Sequence, residues 1–293
     1  MRAAYAELES LIQGLANYRL HATQSAQMFD LAMKAYEQSF SCREEFCTAA
    51  LKAVEDICKV MPPYAPLVNS INRFCLLLEG KEEAIHPVCE AWSQEDTAER
   101  MRSIACRLIA GRKNVCTFTF SQTVSSCLSR CKALGLDFSV IVTESGPNKD
   151  GLDTVRLLSK QGIPCRATLD ADMHKAADEA DIALFGCEAV LPDGSVIGKV
   201  GQSTMAYWCH RRSVPVYIYA GCEKLLPGPL QCVSNLIREV SLPAGSISAR
   251  YFDVTPARYI SGVITENGII SPETSSHFTS KKVSGYLLSC ISR

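Results

Sequence analysis

The sequence lacks an excess of charge of either sign and lacks long apolar runs. Its 30 Lys and Arg residues against 31 Asp and Glu residues give a net charge of −1. This balance argues against direct nucleic-acid binding, which needs a basic surface. No apolar run reaches the roughly 18 residues that a membrane helix requires, so we expect no membrane span. The first residues include Glu7 and Glu9 and contain no apolar segment typical of a signal peptide, which predicts a cytoplasmic protein.

Paired metal-ligand spacings are also missing. None of the 15 cysteines forms a Cys-x-x-Cys pair, and the 5 histidines are scattered. A zinc site therefore has no support, and we expect neither a metal nor a cofactor. Most cysteines stand in apolar patterns, as Cys58, Cys75, Cys106 and Cys187 do. Without a signal peptide, such cysteines are expected to be buried free thiols.

Nucleotide and nucleophile motifs are absent too. Gly194, Gly198 and Gly201 do not have the spacing G-x-G-x-x-G, and no Walker lysine motif occurs. The chain contains serine, histidine and aspartate but no nucleophile elbow. Asp170 and Asp172 could bind a metal, although a turn at the end of a strand, followed by a helix, is the favoured interpretation.

What the chain does contain is a change of hydrophobic period near residue 113. Residues 1–112 repeat apolar residues at helical spacing and predict a helical domain. Residues 113–293 alternate short apolar runs with helical patterns. The runs are residues 115–120, 138–144, 164–169, 181–186 and 214–220. Strands that alternate with helices predict an α/β fold with a Rossmann-like, doubly wound and mostly parallel sheet.

The last third of the chain predicts further elements. Residues 180–220 are typical of a strand, a polar hairpin, the glycine-flanked Lys199, a helix and a strand. Residues 251–272 predict an Asp-x-Thr-Pro turn that begins at Asp253 at the mouth of the sheet, followed by an amphipathic helix.

Ligands of open parallel sheets bind beyond the carboxyl ends of the strands. Lys199 and Lys224 could face that edge, and Thr123 and Ser203 could let helix N-termini receive a phosphate. A small anion such as a sugar phosphate would fit this chemistry. The alternative is that these polar residues are solvated loop and capping residues.

Several segments together resemble one family. Residues 117–124 read Thr-Phe-Thr-Phe-Ser-Gln-Thr-Val, residues 186–188 Gly-Cys-Glu, residues 198–202 Gly-Lys-Val-Gly-Gln and residues 253–256 Asp-Val-Thr-Pro. They are similar to the regulatory alpha, beta and delta subunits of translation initiation factor 2B, of which the alpha subunit is closest in size. Related to these subunits are isomerases that act on methylthioribose 1-phosphate and ribose 1,5-bisphosphate.

The resemblance marks where this chain departs from the isomerases. Their cysteine falls on Thr119, and their partner aspartate falls on Glu188. Threonine does not ionise near neutral pH, and glutamate displaces the carboxylate by about one bond. We therefore expect no catalytic residue, although Cys187 could substitute for the thiol. The ligand-binding candidates are Thr117, Ser121, Gln122, Glu188, Lys199, Lys224 and Asp253.

The resemblance implies a non-catalytic regulatory subunit or homologue that supports guanine-nucleotide exchange in translation initiation. Its partners would be a second copy of the chain or related regulatory subunits. The alternative is a sugar-phosphate aldose–ketose isomerase with a divergent site. A third hypothesis keeps the pocket without turnover, as a sensor whose sugar-phosphate or nucleotide ligand stabilises a dimer.

Overall fold

The structure is a computed structural model, and it describes residues 2–16, 21–81, 95–228, 237–242, 245–273 and 282–291. The first part of the chain is helical, as predicted. Its helices are α1 (Arg2–Ala16), α2 (Ala22–Glu37), α3 (Arg43–Val60), α4 (Ala65–Leu78) and α5 (Glu95–Ile109). Pro62 and Pro63 separate α3 from α4, because proline fixes φ and lacks a backbone donor. Within the described residues, we find no helix with the length and apolarity to span a bilayer.

Helices α1 to α3 each bury one face, whereas α4 is buried on nearly all sides and α5 belongs to a separate core cluster. Leu8 and Leu11 of α1, Phe29 of α2, Ile57 of α3 and Ile71 of α4 are fully buried in a common core. A short C-terminal helix, α10 (Gly285–Ile291), adds a buried leucine to the same core. Burying each large apolar side chain contributes roughly 1.5–3 kcal/mol, so these contacts favour assembly of the bundle.

The second part is built on a seven-stranded sheet, which confirms the predicted α/β class. In chain order the strands are β1 (Asn114–Thr117), β2 (Ser139–Thr143), β3 (Cys165–Thr168), β4 (Ile182–Phe185), β7 (Val216–Tyr219), β11 (Gly262–Thr265) and β12 (Gly268–Ile270). Their spatial order is β12-β11-β7-β4-β1-β2-β3, and every pair is parallel except β11 with β12. Each of the five predicted apolar runs overlaps a strand of this sheet. The connecting helices are α6 (Gln122–Ala133), α7 (Gly151–Lys160), α8 (Met173–Glu179) and α9 (Gln202–Arg211).

A smaller antiparallel sheet carries the segment that the sequence placed in a hairpin. It consists of β5 (Ala189–Val190), β6 (Val196–Lys199) and β10 (Phe252–Thr255). The predicted turn at Asp253 is wrong, because Asp253 lies within β10 opposite Gly198 of β6. Phe252 and Thr255 are buried, and burying them favours a paired strand over a turn.

The amphipathic helix predicted after Asp253 is also wrong. Residues 262–265 form the fully buried strand β11, and a two-residue loop, Glu266-Asn267, returns the chain into β12. The β-branched pair Val263-Ile264 and the Asn267-Gly268 step are strand and hairpin signals, and they outweigh a weak helical pattern. A separate ribbon is formed by β8 (Ile237–Leu242) and β9 (Gly245–Arg250).

The helices and the small sheet share one core. Ala189, Ile197 and Phe252 of the small sheet are buried in the same apolar cluster as the helix residues. Asn69 of α4 adds a polar tie, because its Nδ2 donates to the carbonyl oxygens of Glu223 at 2.7 Å and of Leu225 at 3.1 Å.

Among the described residues, the free cysteines are buried or half-buried except for the exposed Cys42, and Cys106 and Cys131 depart from the prediction of free thiols. Cys75, Cys116 and Cys187 are buried and free, as expected. Cys106, predicted as a free thiol, is instead joined to Cys131 in a disulfide between α5 and α6. Both residues lie on apolar helix faces that meet in the core, and sequence spacing alone does not reveal that contact.

Candidate functional site

A cavity of about 290 Å³ lies at the carboxyl ends of β1 and β4, between these strand ends, the small sheet and the N-terminus of α2. Six predicted site residues line it: Thr119, Ser121, Gln122, Glu188, Lys199 and Lys224. The structure thus brings together residues that are up to 105 positions apart in the chain. This is the position at which open parallel sheets bind their ligands.

Thr119 is held in an unusual backbone conformation at the cavity wall. Its φ is +56°, a value at which a β-branched residue is a steric outlier. Two hydroxyl groups hold it there. The Thr119 N–H donates to Ser145 Oγ at 2.9 Å, and Thr154 Oγ1 donates to the Thr119 carbonyl at 2.9 Å. Such strain costs about 1–3 kcal/mol, and it persists because neighbouring groups fix the geometry.

The loop behind Thr119 is ordered by a carboxylate. Asp170 Oδ1 accepts from the Ser145 N–H at 2.9 Å, and its Oδ2 accepts from the Gly146 N–H at 2.7 Å. The carboxylate of Asp170 thereby positions Ser145, whose hydroxyl in turn holds Thr119. This contact supports the interpretation of Asp170 as a turn residue at the end of a strand.

The N-terminus of α6 borders the cavity with Ser121, Gln122 and Thr123. Ser121 is the capping residue, since its Oγ accepts from the Val124 N–H at 3.4 Å. Helix N-termini carry a partial positive charge and free N–H groups, which favour anions. The first turn of α6 therefore offers an anion a place beside the hydroxyl groups.

Lys199 lies in the cavity wall, where its positive charge is paired with a carboxylate. Its side chain is 7% exposed, and its Nζ donates to Asp150 Oδ2 at 2.8 Å. The same Nζ lies 3.6 Å from the centre of the Tyr251 ring, within cation–π range. A ligand that uses Lys199 must share it with Asp150.

Lys224 is the second cation of the cavity. Its Nζ donates to the Cys187 carbonyl at 2.5 Å. Burial opposes its charge, but the neighbouring Cys187, Glu188 and Glu223 together raise the pKa of Lys224 above its usual value. Lys224 therefore stays protonated at neutral pH, close to the carboxylate of Glu188.

Cys187 is the only thiol that lines this cavity among the described residues. Burial raises its pKa to about 12, even though Lys224 lowers it. The thiolate, rather than the thiol, is the reactive form of cysteine. Cys187 is therefore protonated near pH 7 and poorly suited to a proton relay.

Two of the ligand-binding candidates are not among the residues that line the cavity, and neither is Ser203 of α9. Thr117 is buried in the sheet, where its Oγ1 donates to the Leu184 carbonyl at 2.9 Å. Asp253 caps the start of α9, and its Oδ2 accepts from the Gly201 N–H at 2.8 Å. Both have structural partners that explain their position.

Other lining residues were missed by sequence reasoning. The helical part contributes His21, Gln24, Gln27 and Tyr64, and α9 contributes Gln202. The spacing of Gln24 and Gln27 places them on one face of α2, which was the available signal. A second cavity of about 310 Å³ adjoins the first and shares with it Thr23, Gln27, Gln122, Thr123 and Lys224.

Comparison with known proteins gives consistent matches. The model of the initiation factor 2 subunit family matches residues 19–272. A putative translation initiation factor eIF-2B subunit 2-like protein of Pyrococcus horikoshii is 32% identical over 250 residues, covering 83% of this chain and 90% of the relative. A ribose 1,5-bisphosphate isomerase of Archaeoglobus fulgidus is 28% identical over 278 residues, covering 89% and 86%.

The fold is matched by solved structures as well. The crystal structure of the Pyrococcus horikoshii translation initiation factor eIF-2B aligns with a TM-score of 0.73 at 28% identity. The alignment covers 90% of this chain and 97% of that one. The similar proteins thus carry both initiation-factor and isomerase names. The residues of the cavity distinguish between these two roles.

Proposed function

The chain belongs to the initiation factor 2 subunit family, and we propose that it is a non-catalytic, regulatory-type member with a ligand cavity for a sugar phosphate. The observation that carries this proposal is the identity of Thr119. It occupies the cavity wall at the position where the resemblance puts the isomerase cysteine. A hydroxyl that stays protonated at neutral pH does not serve as the acid–base partner of Glu188.

The thiol of Cys187, which could replace the isomerase cysteine, supports the same proposal. Cys187 lies next to Glu188, but burial keeps its pKa at about 12. A catalytic acid or base works best when its pKa lies near the working pH. Glu188 would then act alone, without the second group that a two-site proton transfer requires.

The cavity nevertheless has features of an anion site. It combines the N-terminus of α6 with Lys224 and the shared Lys199, and hydroxyl and amide side chains surround them. A phosphate would accept from the free N–H groups of the helix, and sugar hydroxyl groups would find the neutral polar side chains. This composition supports a phosphorylated sugar as the ligand.

One observation favours the isomerase as a second candidate. Glu188 and Lys199 face the same cavity at the strand ends, and one similar protein is named a ribose 1,5-bisphosphate isomerase. In that case Thr119 would mark a variant mechanism built on Glu188. The two candidates differ in a measurable property, which is turnover.

The test is an NMR assay with ribose 1,5-bisphosphate and methylthioribose 1-phosphate as substrates, beside a thermal-shift titration with the same compounds. We expect binding without turnover. A ligand present at 100 times its dissociation constant adds about 2.7 kcal/mol to stability, a shift that is readily detected. Turnover that Glu188→Gln abolishes would contradict the non-catalytic proposal and establish the isomerase.

The assembly and cellular role form the rest of the proposal. We propose that the chain is cytoplasmic, associates with a second copy or with related regulatory subunits, and supports guanine-nucleotide exchange in translation initiation. The initiation-factor name of the Pyrococcus horikoshii relative supports this role. Light scattering after size-exclusion chromatography tests the dimer, and a nucleotide-exchange assay with and without this chain tests the exchange role. A monomer without effect on exchange would refute both.

A further inference from the structure

Gly198 and Gln202 form a matched pair at one wall of the cavity. Gly198 lies in β6, and Gln202 is the first residue of α9. A Cβ atom on Gly198 would lie 2.5 Å from Gln202 Oε1, 2.6 Å from its Cδ and 2.7 Å from its Nε2. The terminal amide of Gln202 thus rests directly on the Cα of Gly198. Only glycine at position 198 leaves the room that this amide occupies.

The N–H donor of the buried Gln202 amide lacks a hydrogen-bond partner in the described part of the chain. The side chain is 1% exposed and lines the cavity. Its Nε2 has no hydrogen-bond partner among the residues that the structure describes. Buried polar groups are almost always paired, and leaving one unpaired costs free energy. Because Gln202 lies at the cavity wall, rotation of its terminal amide would bring this unpaired donor to a ligand in the cavity.

We infer that Gln202 is a specificity-determining residue whose amide hydrogen-bonds a sugar hydroxyl of the ligand, and that Gly198 makes room for it. This inference rests on the proposal that the cavity binds a phosphorylated sugar. A hydroxyl both donates and accepts, so it pairs with either end of an amide, which rotates about its terminal bond. The phosphate instead suits the cationic elements, Lys224 and the first turn of α6.

Because different residues bind the sugar and the phosphate, ligands with and without a sugar should respond differently to substitution of Gln202. Calorimetric titrations of the full chain with ribose 5-phosphate and ribose 1,5-bisphosphate measure recognition of sugar and phosphate together. Inorganic phosphate measures the phosphate part alone. In Gln202→Met, which keeps the length of the side chain but removes the amide, we expect the affinity for sugar phosphates to fall about 3- to 10-fold. The affinity for inorganic phosphate should not change.

The ligand-free protein gives an independent readout. Because Gln202→Met removes an unpaired buried amide, the melting temperature of the ligand-free variant should rise. Gly198→Ala is a second variant, since its Cβ would displace the amide and produce the same selective loss of sugar-phosphate affinity. Gln38→Met, at the exposed residue that follows α2, is the matched control and should bind all probes like the wild type.

The outcomes separate the role of Gln202 from the underlying proposal that the cavity binds a sugar phosphate. If the wild type binds none of the probes, the sugar-phosphate cavity is refuted and the role of Gln202 with it. If the wild type binds sugar phosphates and Gln202→Met binds them equally well, only the role of Gln202 is refuted. An equal loss for sugar phosphates and inorganic phosphate, with a lower melting temperature, would assign Gln202 a purely structural role and also overturn the inference.

Discussion

Asp253 gives the protein a pH-dependent stability that can be measured directly. Its carboxyl lies in β10 against the start of α9. Oδ2 accepts from the Gly201 N–H, while Oδ1 has no partner among the described residues. Burial raises the pKa of Asp253 from 3.8 to about 6, although the backbone N–H groups of Gly201 and Ser203 lower it. The charged form is therefore the less favourable one in the folded protein.

The sign of the effect follows from linkage between protonation and folding. Between about pH 4 and pH 6 the folded protein holds this proton more tightly than the unfolded chain does. The stabilisation by the protonated carboxyl is fully present below the unfolded pKa, and it is lost as the pH rises through about 6. A shift of roughly two units, at 1.36 kcal/mol for each unit, corresponds to about 3 kcal/mol.

Asp253→Asn isolates this contribution, because asparagine keeps an oxygen acceptor for the Gly201 N–H but does not ionise. The stability difference between variant and wild type should be small at pH 4. Above pH 7 it should reach up to about 3 kcal/mol in favour of the variant. Urea unfolding of both proteins between pH 4 and pH 8 measures this difference, and contributions from the other carboxyl groups cancel.

Asp56 supplies the control with the opposite sign. Its hydrogen bond to Lys59 lowers the pKa of the Asp56 carboxyl, so Asp56→Asn should lose stability relative to the wild type as the pH rises. For Asp253→Asn, a difference that is constant with pH, or that increasingly favours the wild type, would refute the reasoning. It would mean that the N-terminus of α9 stabilises the carboxylate by more than burial costs.

Three further substitutions and one control substitution test the architecture around the cavity by urea unfolding. Thr119→Gly should raise stability by about 1 kcal/mol, since relief of the strain at φ +56° exceeds the entropic cost of glycine; a loss of stability would contradict this. Gly151→Ala should destabilise by several kcal/mol, because its Cβ would lie 1.8 Å from the Thr143 carbonyl oxygen. Gly285→Ala, with no atom within 4 Å of its Cβ, is the control and should be neutral or better. Asn69→Ala removes both amide hydrogen bonds to the carbonyl groups of Glu223 and Leu225 and should cost about 2–4 kcal/mol; a cost near zero would argue that water replaces the amide.

The fold was predictable where local pattern and burial agree. Four of the five predicted strands are short and largely buried on both faces, so their apolar runs identified them, whereas the edge strand β3 is partly exposed. The C-terminal part failed because a short hairpin at Asn267-Gly268 was taken for part of a helix. The disulfide of Cys106 with Cys131 was not predictable, since it depends on how α5 meets α6 in space.

The cavity was predictable from the sheet side only. Strand ends meet at one edge, so Thr119, Glu188 and Lys199 could be placed together from the order of the strands. The spacing of Gln24 and Gln27 puts both on one face of α2, but it does not show that this face docks against the strand ends. The position of the Gln202 amide depends on the absence of a Cβ atom at Gly198, and this fit between the two residues exists only in the folded structure.

The core shared by the helices and the small sheet has a mechanical consequence. Ala189, Ile197 and Phe252 are buried against the bundle, so swinging the helices away from the sheet would expose apolar surface at about 25 cal/mol for each Å². A wide hinge motion is therefore disfavoured. A molecule that enters between α2 and the strand ends must do so through small local fluctuations of loops and side chains, and its rate of entry should fall as its size increases.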